Sequence, residues 1–562
     1  MHTRITLFSV IIILFALVLI GRLYLVQIVN GEEFRARADR QYIQSTYDYY
    51  DRGSIFFQNK AAGLVSAATL KNGFIIAINP KLIKNPEEVY EKISQIISLE
   101  RQPFMQKTER LEDTYEEIAK RVTLNDAEKI SKLNLVGVSA YKERWRYYPG
   151  GNMAAHTVGF IAYKENELAG RYGLERFYEN ILGRNNKSVF VNFFAEIFSN
   201  IKQGLTDHEL EGDIITSIEP SVQAFLEDEL VKVKNDYKSD YSGGIVMNPM
   251  NGEIIAMAIN PTFDINNRNE KDPLIFSNKL VEDVYEMGSI IKPLTLAAGI
   301  DSGAISANTT YYDAGSLTLN NKTIFNFDLK SRGTVSMQEV LNQSLNTGAA
   351  FVALKMGNKN FSKYMFDYGL GEKTGIDLPN ETHGLMDNLN SPRDIEHATA
   401  AFGQGIAMTP IETIRALASL GNGGRLIFPH IATKINYKIG TAKTLEFDEP
   451  KQVLKPETSE EITRMLVSVV DHALRGGTFK IENYSVAAKT GTAQISRGKS
   501  GYYEDRFLHS FFGYFPAYDP KFIIFLYTYY PKGVRFASET LSAPFFDLAK
   551  FLINYYNIPP DR

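Results

Sequence analysis

The sequence of 562 residues contains no cysteine. That excludes disulfides, thiolate metal centres and a cysteine nucleophile together. Its eight histidines show no H-E-x-x-H or comparable ligand spacing, so no metal site is expected. No cofactor is expected either, and the one glycine pair resembling a phosphate loop, Gly491 and Gly498, is too widely spaced for it. Tryptophan is nearly missing: Trp145 stands alone beside 31 tyrosines and 35 phenylalanines, which read as core material. Neither sign of charge dominates. Lys plus Arg number 61 and Asp plus Glu 65, a formal net charge of −4, so no nucleic-acid partner is expected. Internal repeats and low-complexity linkers are absent from the sequence. What remains is a globular balance of 44% hydrophobic and 22% charged residues, on a chain long enough for several domains.

Long apolar runs are lacking too, with one exception. Ile5 to Ile20 is apolar apart from Thr6 and Ser9; Gly21 and Arg22 follow, then Leu23, Tyr24, Leu25 and Val26. With Arg22 snorkelling, this reaches the roughly 20 residues of a spanning helix. No small-x-small cleavage site follows it, which favours an uncleaved anchor over a signal peptide. Arg4 places the N-terminus on the cytoplasmic side. The expectation is a cytoplasmic tail over 1–4, a transmembrane anchor over 5–28, and the rest of the chain outside.

A change of character comes near Gly212. Asp213 to Ser217 reads as a strand and Ser221 to Val233 as an amphipathic helix. Ser242 to Met247 and Glu253 to Ile259 form a hairpin pattern around the turn at Asn248 to Gly252. Helical patterns follow, among them Val340 to Met356 and Pro410 to Leu420. Strands return at Phe511 to Phe515 and Phe522 to Tyr530, and a last helix covers Phe545 to Tyr555. Strands, then helices, then strands suggest an α/β domain whose sheet draws on both ends of its sequence.

Three short motifs carry chemistry. Ser289-Ile290-Ile291-Lys292 is an S-x-x-K; on a helix its hydroxyl and amine share a face. A serine is a poor nucleophile until a base takes its proton, and lysine is that base only when desolvation or a neighbouring cation lowers its pKa. Pro293 marks a helix start, with Ser289 at its N-terminus. Ser344-Leu345-Asn346 is an S-x-N, a hydroxyl and an amide on one loop. Lys489-Thr490-Gly491-Thr492 lies in a strand pattern from Tyr484 to Ile495. There Lys489 offers a cation for a carboxylate, and Gly491 lets another backbone lie against the strand. A backbone N–H here is placed to complete an oxyanion hole. Each motif has decoys: Ser199 to Lys202 and Ser496 to Lys499, Ser306-Ala307-Asn308, and Lys373-Thr374-Gly375. Order and spacing single out one set, with 55 positions from Ser289 to Ser344 and 145 from Ser344 to Lys489. That ordered trio is shared by penicillin-binding proteins and class A β-lactamases.

With its surroundings, the trio resembles the class B penicillin-binding proteins. Tyr285 to Pro293 is similar to the family's Y-E-P-G-S-x-x-K-P, with Met287 in place of proline. Ala488 to Gln494 resembles A-K-T-G-T-A-Q, and Phe402 to Gly405 with Thr409-Pro410 resembles F-G-Q-G…T-P. Gly371 to Pro379 is similar to G-E-K-T-G-I-D-L-P, which accounts for the second K-T-G as a structural feature. Upstream, Arg146 to Gly151 with Ala154-Ala155-His156 resembles R-x-Y-P-x-G…A-A-H, and Gly173-Leu174-Glu175 resembles G-L-E. Arg52 to Ile55 resembles R-G-x-I, although Phe57 to Lys60 stand where the family has D-R-N-G.

The resemblance implies an α/β transpeptidase head, an antiparallel sheet flanked by helices like that of penicillin-binding proteins and β-lactamases. It adds an elongated α+β N-terminal pedestal of the dimerisation type and one N-terminal transmembrane helix. The pedestal spans 29–211 and the transpeptidase domain 212–562. By position, Ser289 attacks a D-Ala-D-Ala carbonyl, Lys292 is the base and Ser344 passes the proton to the leaving amine. Asn346 binds the substrate amide, and Lys489, Thr490, Gly491 and Thr492 hold the terminal carboxylate. The backbone N–H groups of Ser289 and Thr492 form the oxyanion hole. Implied partners are peptidoglycan stem peptides, β-lactams, and a polytopic membrane glycan polymerase with other division or elongation proteins. The implied location is the cytoplasmic membrane of a bacterium, single-pass, catalytic domain outside. Y-E-x-G-S and F-G-Q-G lean toward the septal branch; an elongation-type enzyme and a non-catalytic β-lactam sensor or division scaffold are the alternatives. A secreted β-lactamase or carboxypeptidase needs neither pedestal nor anchor, and the region before Gly212 is short for a glycosyltransferase half.

Overall fold

A computed structural model describes residues 50–164, 167–184, 211–270 and 272–562, together with positions 15, 19 and 22. The expected tail 1–4, the expected anchor 5–28 apart from those three positions, and the Ser199 to Lys202 decoy lie outside the described residues. Among the described residues no helix is long and apolar enough to cross a membrane. The described chain divides into two compact units.

One unit holds residues 50–51 and 70–145. Residues 74–78 of the strand Leu64–Ile78 pair antiparallel with Glu116–Val122. The strand Val138–Tyr147 also pairs with Leu64–Ile78, and the unit includes helices Pro86–Ser94, Arg101–Thr108 and Leu124–Lys132. Asn85 and Thr123 start two of these helices, their side-chain oxygens accepting from Glu88 N and Asp126 N. Ile76, Ile78, Ile93, Phe104, Val122 and Ile130 form a core of their own.

The other unit holds 52–69, 146–184 and 211–562. One of its sheets has five antiparallel strands: β1 (Tyr241–Met247), β2 (Ile254–Asn260), β3 (Ala487–Ser496), β4 (Tyr502–Phe515) and β5 (Phe522–Tyr529). Their order is β3-β4-β5-β1-β2, so both ends of the sequence do build one sheet, and β3 is an edge. The helices that matter here are α1 (Pro220–Tyr237), α2 (Lys292–Asp301), α3 (Met337–Asn342), α4 (Asn346–Met356) and α5 (Ser542–Tyr556). Successive strand residues point to opposite faces. Phe511, Phe515, Ile524 and Leu526 join one core with Leu226 and Leu230 of α1 and Phe545 and Leu552 of α5. Phe512, Tyr514, Ile523, Phe525 and Tyr527 join another with Leu294 of α2 and Val352 of α4. A sheet covered on both faces shows near-continuous apolar runs, which is the pattern of β4 and β5.

One expectation is corrected. Val340 to Met356 is not a single helix; it breaks between α3 and α4, where Ser344 takes a left-handed φ of 55°. A non-glycine residue in that region ends the helical hydrogen-bond run. In the same unit, Arg52 and Arg146 both reach the fully buried Glu175, each Nε donating to one carboxylate oxygen at 2.6 Å. Tyr148 adds its hydroxyl at 3.1 Å, and Arg146 also donates to Gly53 O at 2.7 Å. Desolvation pushes the Glu175 carboxyl up, and the charges of Arg146 and Arg52 more than offset it, leaving it below the ordinary range.

Candidate active site

Ser289 sits on a single 3-10 turn, Gly288–Ile291, that runs directly into α2. Pro293 occupies the first turn of α2, where a missing N–H costs nothing. Close backbone approach shapes this corner. Gly288 has φ +64°, and a Cβ there would stand 2.8 Å from Thr492 O; one on Gly403, at φ +78°, would stand 2.3 Å from Gly288 O. Gly491 turns its missing side chain toward Met287 O, 2.6 Å from an ideal Cβ. The glycines of three motifs thus clear space for one another's main chains. Met287, standing where the resembled pattern has proline, is fully buried. Its carbonyl accepts from Ser510 Oγ of β4 at 2.8 Å.

The left-handed Ser344 directs both of its oxygens at Lys292. Lys292 Nζ donates to Ser344 O at 2.5 Å and Ser344 Oγ at 3.1 Å. Lys489 Nζ reaches the same Oγ at 3.0 Å and Thr490 O at 3.0 Å. Lys292 is 0% exposed and Lys489 3%. Burial, and then the positive charge of Lys489, push the Lys292 amine well below the ordinary lysine range. Burial alone pulls Lys489 down to about 7. A serine hydroxyl thus lies between two lysines, at least one of which resists protonation.

The rest of the site is held from behind. Asn346, first residue of α4, donates its side-chain amide to Phe325 O at 2.8 Å. Its backbone N–H donates to Asn326 Oδ1 at 3.0 Å. Asn326 in turn bonds the buried Asp313, which also accepts from Thr347 Oγ1 at 2.8 Å. Thr492 Oγ1 accepts from Ala537 N at 3.1 Å, tying β3 to the segment before α5. These residues open on one cleft of about 830 Å³, lined by Ser289, Ser344, Asn346, Lys489, Thr490 and Thr492 among others. Phe327 and Phe536 meet edge to face across it, ring centres 5.6 Å apart. Lys292 lies beneath the cleft floor, and Gly491 faces away from it toward Ser510.

All the motif residues singled out in the sequence therefore converge, and none of the described decoys lines the cleft. Thr374 of the second K-T-G is spent on Glu381, which its N–H and Oγ1 both reach at 2.6 Å. Nearby Asp377 accepts from Ile431 N and Ala432 N. Ser306 and Ser496 make local turns with Thr309 and Gly498. Sequence reading did not find Asp313, Asn326, Ser510 or Ala537. They act through side-chain and main-chain contacts between separate segments, and no local spacing marks them. Glu286 stands within the Tyr285 to Pro293 pattern, but its surroundings were not legible there: burial raises its carboxyl to about 7, and it accepts from Tyr502 OH at 2.9 Å.

Comparison with known proteins agrees with this geometry. Residues 243–548 match the penicillin binding protein transpeptidase domain family, and residues 49–193 the penicillin-binding protein dimerisation domain family. The chain is 30% identical over 559 residues to stage V sporulation protein D of Bacillus subtilis, covering 96% of this chain and 83% of that protein. It is 27% identical over 451 residues to the peptidoglycan D,D-transpeptidase FtsI of Escherichia coli, covering 79% and 73%. Penicillin binding protein 2X from Streptococcus thermophilus has a similar fold, with a TM-score of 0.73 at 21% identity over 90% of this chain and 79% of that one.

Proposed function

This chain belongs to the penicillin-binding protein transpeptidase family, and from that premise we propose that it is a peptidoglycan D,D-transpeptidase working through an acyl-enzyme on Ser289. The observation that carries the reading is the pair of buried lysines meeting on Ser344 Oγ. Burial and the neighbouring Lys489 charge lower the Lys292 pKa, which suits it to accept a proton. Lys292 takes the Ser289 proton as Oγ attacks the carbonyl carbon of the penultimate D-alanine. The backbone N–H groups of Ser289 and Thr492 receive the oxyanion. The proton passes through Ser344 to the departing amine, the C–N bond breaks, and D-alanine leaves as an ester forms on Ser289. An amine from a neighbouring stem peptide then attacks the ester and returns the serine. Lys489, Thr490 and Thr492 hold the terminal carboxylate, Gly491 lets the strand sit against the nucleophile turn, and Asn346 holds a substrate amide. β-Lactams acylate the same serine.

In this reading residues 5–28 anchor the chain in the cytoplasmic membrane of a bacterium, 29–211 form a pedestal and 212–562 the catalytic domain, outside the cell. The Tyr285 to Ser289 and Phe402 to Gly405 patterns favour cell division over elongation, with a polytopic glycan polymerase as partner. The test is a D-Ala-D-Ala peptide donor with an amine acceptor, products followed by mass spectrometry. Wild type yields a cross-linked product and free D-alanine, and Ser289→Ala yields neither. Product from the variant would refute the reading.

A further inference from the structure

Charge is distributed unevenly around the cleft. Lys322, Arg332, Arg475, Lys489 and Arg535 line it, against a single carboxylate, Glu504. Arg332 is engaged by Asp328 at 2.6 Å, but among the described residues Glu504 has no ion-pair partner. Its position along the cleft is set by the sheet. In the β3–β4 register Lys489 faces Phe512, Thr492 faces His509, Gln494 faces Phe507 and Ser496 faces Tyr502. Glu504 therefore lies past the Gln494 end of β3, opposite to the Lys489 end.

The two residues before Glu504 are held in place. Tyr503 O accepts from Gln494 Nε2 at 3.3 Å, and Tyr502 OH donates to Glu286 at 2.9 Å. The Tyr503 ring sits beneath the guanidinium groups of Arg497 and Arg506, at 5.0 and 4.1 Å. Glu504 is, among the described residues lining the cleft, the one side chain whose charge complements an ammonium group.

The proposed function, on which this rests, fixes the direction of the substrate. Its terminal carboxylate is at Lys489 and Thr490 and its scissile carbonyl at Ser289 and Thr492. Laid along the edge strand, the peptide's N-terminal side then runs toward Gln494, at about 3.4 Å per residue. The residue preceding the two D-alanines arrives beside Glu504. We propose that Glu504 is a specificity residue that binds the side-chain ammonium of a diamino acid at that position in the acyl-donor stem peptide. The enzyme then distinguishes donors with a free side-chain amine from donors in which that amine is already acylated.

The test is single-turnover acylation by two peptide donors that differ only in acetylation of that amine. An exposed ion pair corresponds to a preference of about 1.5- to fivefold for the free amine in wild type, shrinking as salt rises. The ratio falls to one in Glu504→Gln, drops below one in Glu504→Lys, and is restored in Glu504→Asp. The acetylated donor serves as the reference within each variant, so a general loss of activity does not move the ratio. A wild-type ratio of one, or a preference that survives in Glu504→Gln, overturns the assignment while leaving the transpeptidase reading intact. A preference confined to the later transfer step overturns it too, because the ammonium would then be the acceptor's. Acylation by neither donor overturns both.

Discussion

Substituting Gly491 by alanine tests how the nucleophile is placed. A Cβ at this position would stand 2.3 Å from Ser510 Oγ and 2.6 Å from Met287 O. The Ser510 hydroxyl can rotate, but only by giving up its 2.8 Å bond to Met287 O. Met287 O is main chain, two residues before Ser289, and has no such freedom. It stands about 0.8 Å inside the 3.4 Å of ordinary contact. β3 or the nucleophile turn must move by that amount. A misplacement of about 1 Å costs about 10²-fold in rate, and overpacking costs about 1–3 kcal/mol of stability. Gly491→Ala is therefore expected to acylate with benzylpenicillin about 10²-fold more slowly than wild type, while remaining folded by thermal melting. The second-order acylation rate, from a time course of labelled penicillin, is the assay. A folded variant acylating at close to the wild-type rate would refute the argument that this glycine sets the distance between β3 and Ser289.

Three further outcomes are expected. Lys292→Met replaces a fully buried amine by an apolar side chain of similar length, so folding stability is kept while acylation falls by about 10²–10⁴-fold, the usual contribution of a general base; rapid acylation by this variant would remove Lys292 from that role. Burial brings the Lys489 pKa down to about 7, so its proton leaves earlier than from a solvated lysine, and kcat/KM for a peptide ending in a carboxylate falls as pH rises through that value. Lys489→Arg, always charged, moves that fall to higher pH, and a profile identical in both enzymes would contradict the assignment. Glu175→Leu leaves Arg52 and Arg146 buried without their shared carboxylate and is expected to cost about 3–5 kcal/mol, read as a lower midpoint in denaturant; an unchanged midpoint would show that the cluster carries no net stability.

The catalytic trio was legible in the sequence because each motif is local. The i and i+3 spacing of Ser289 and Lys292, and the strand pattern around Lys489, fix geometry within a turn or a strand. The sheet was legible for a related reason: near-continuous apolar runs and hairpin turns report their own neighbours. What the sequence could not show depends on contacts between distant segments. The break at Ser344 looks helical by composition, and its left-handed backbone is stabilised by Lys292, 52 positions away. The Asp313–Asn326–Thr347 network joins three segments with no common spacing. The compact units likewise do not follow chain order, since 52–69 and 146–184 cluster with the residues after 211. Composition changes little across those crossings, so no boundary appears in the sequence there.

The most direct measurement is labelling of the purified protein without residues 1–28 by a fluorescent penicillin, wild type beside Ser289→Ala. The account predicts a covalent band in wild type that is absent from the variant. No band in folded wild type, or a band that survives the substitution, would contradict Ser289 as the acyl-forming nucleophile.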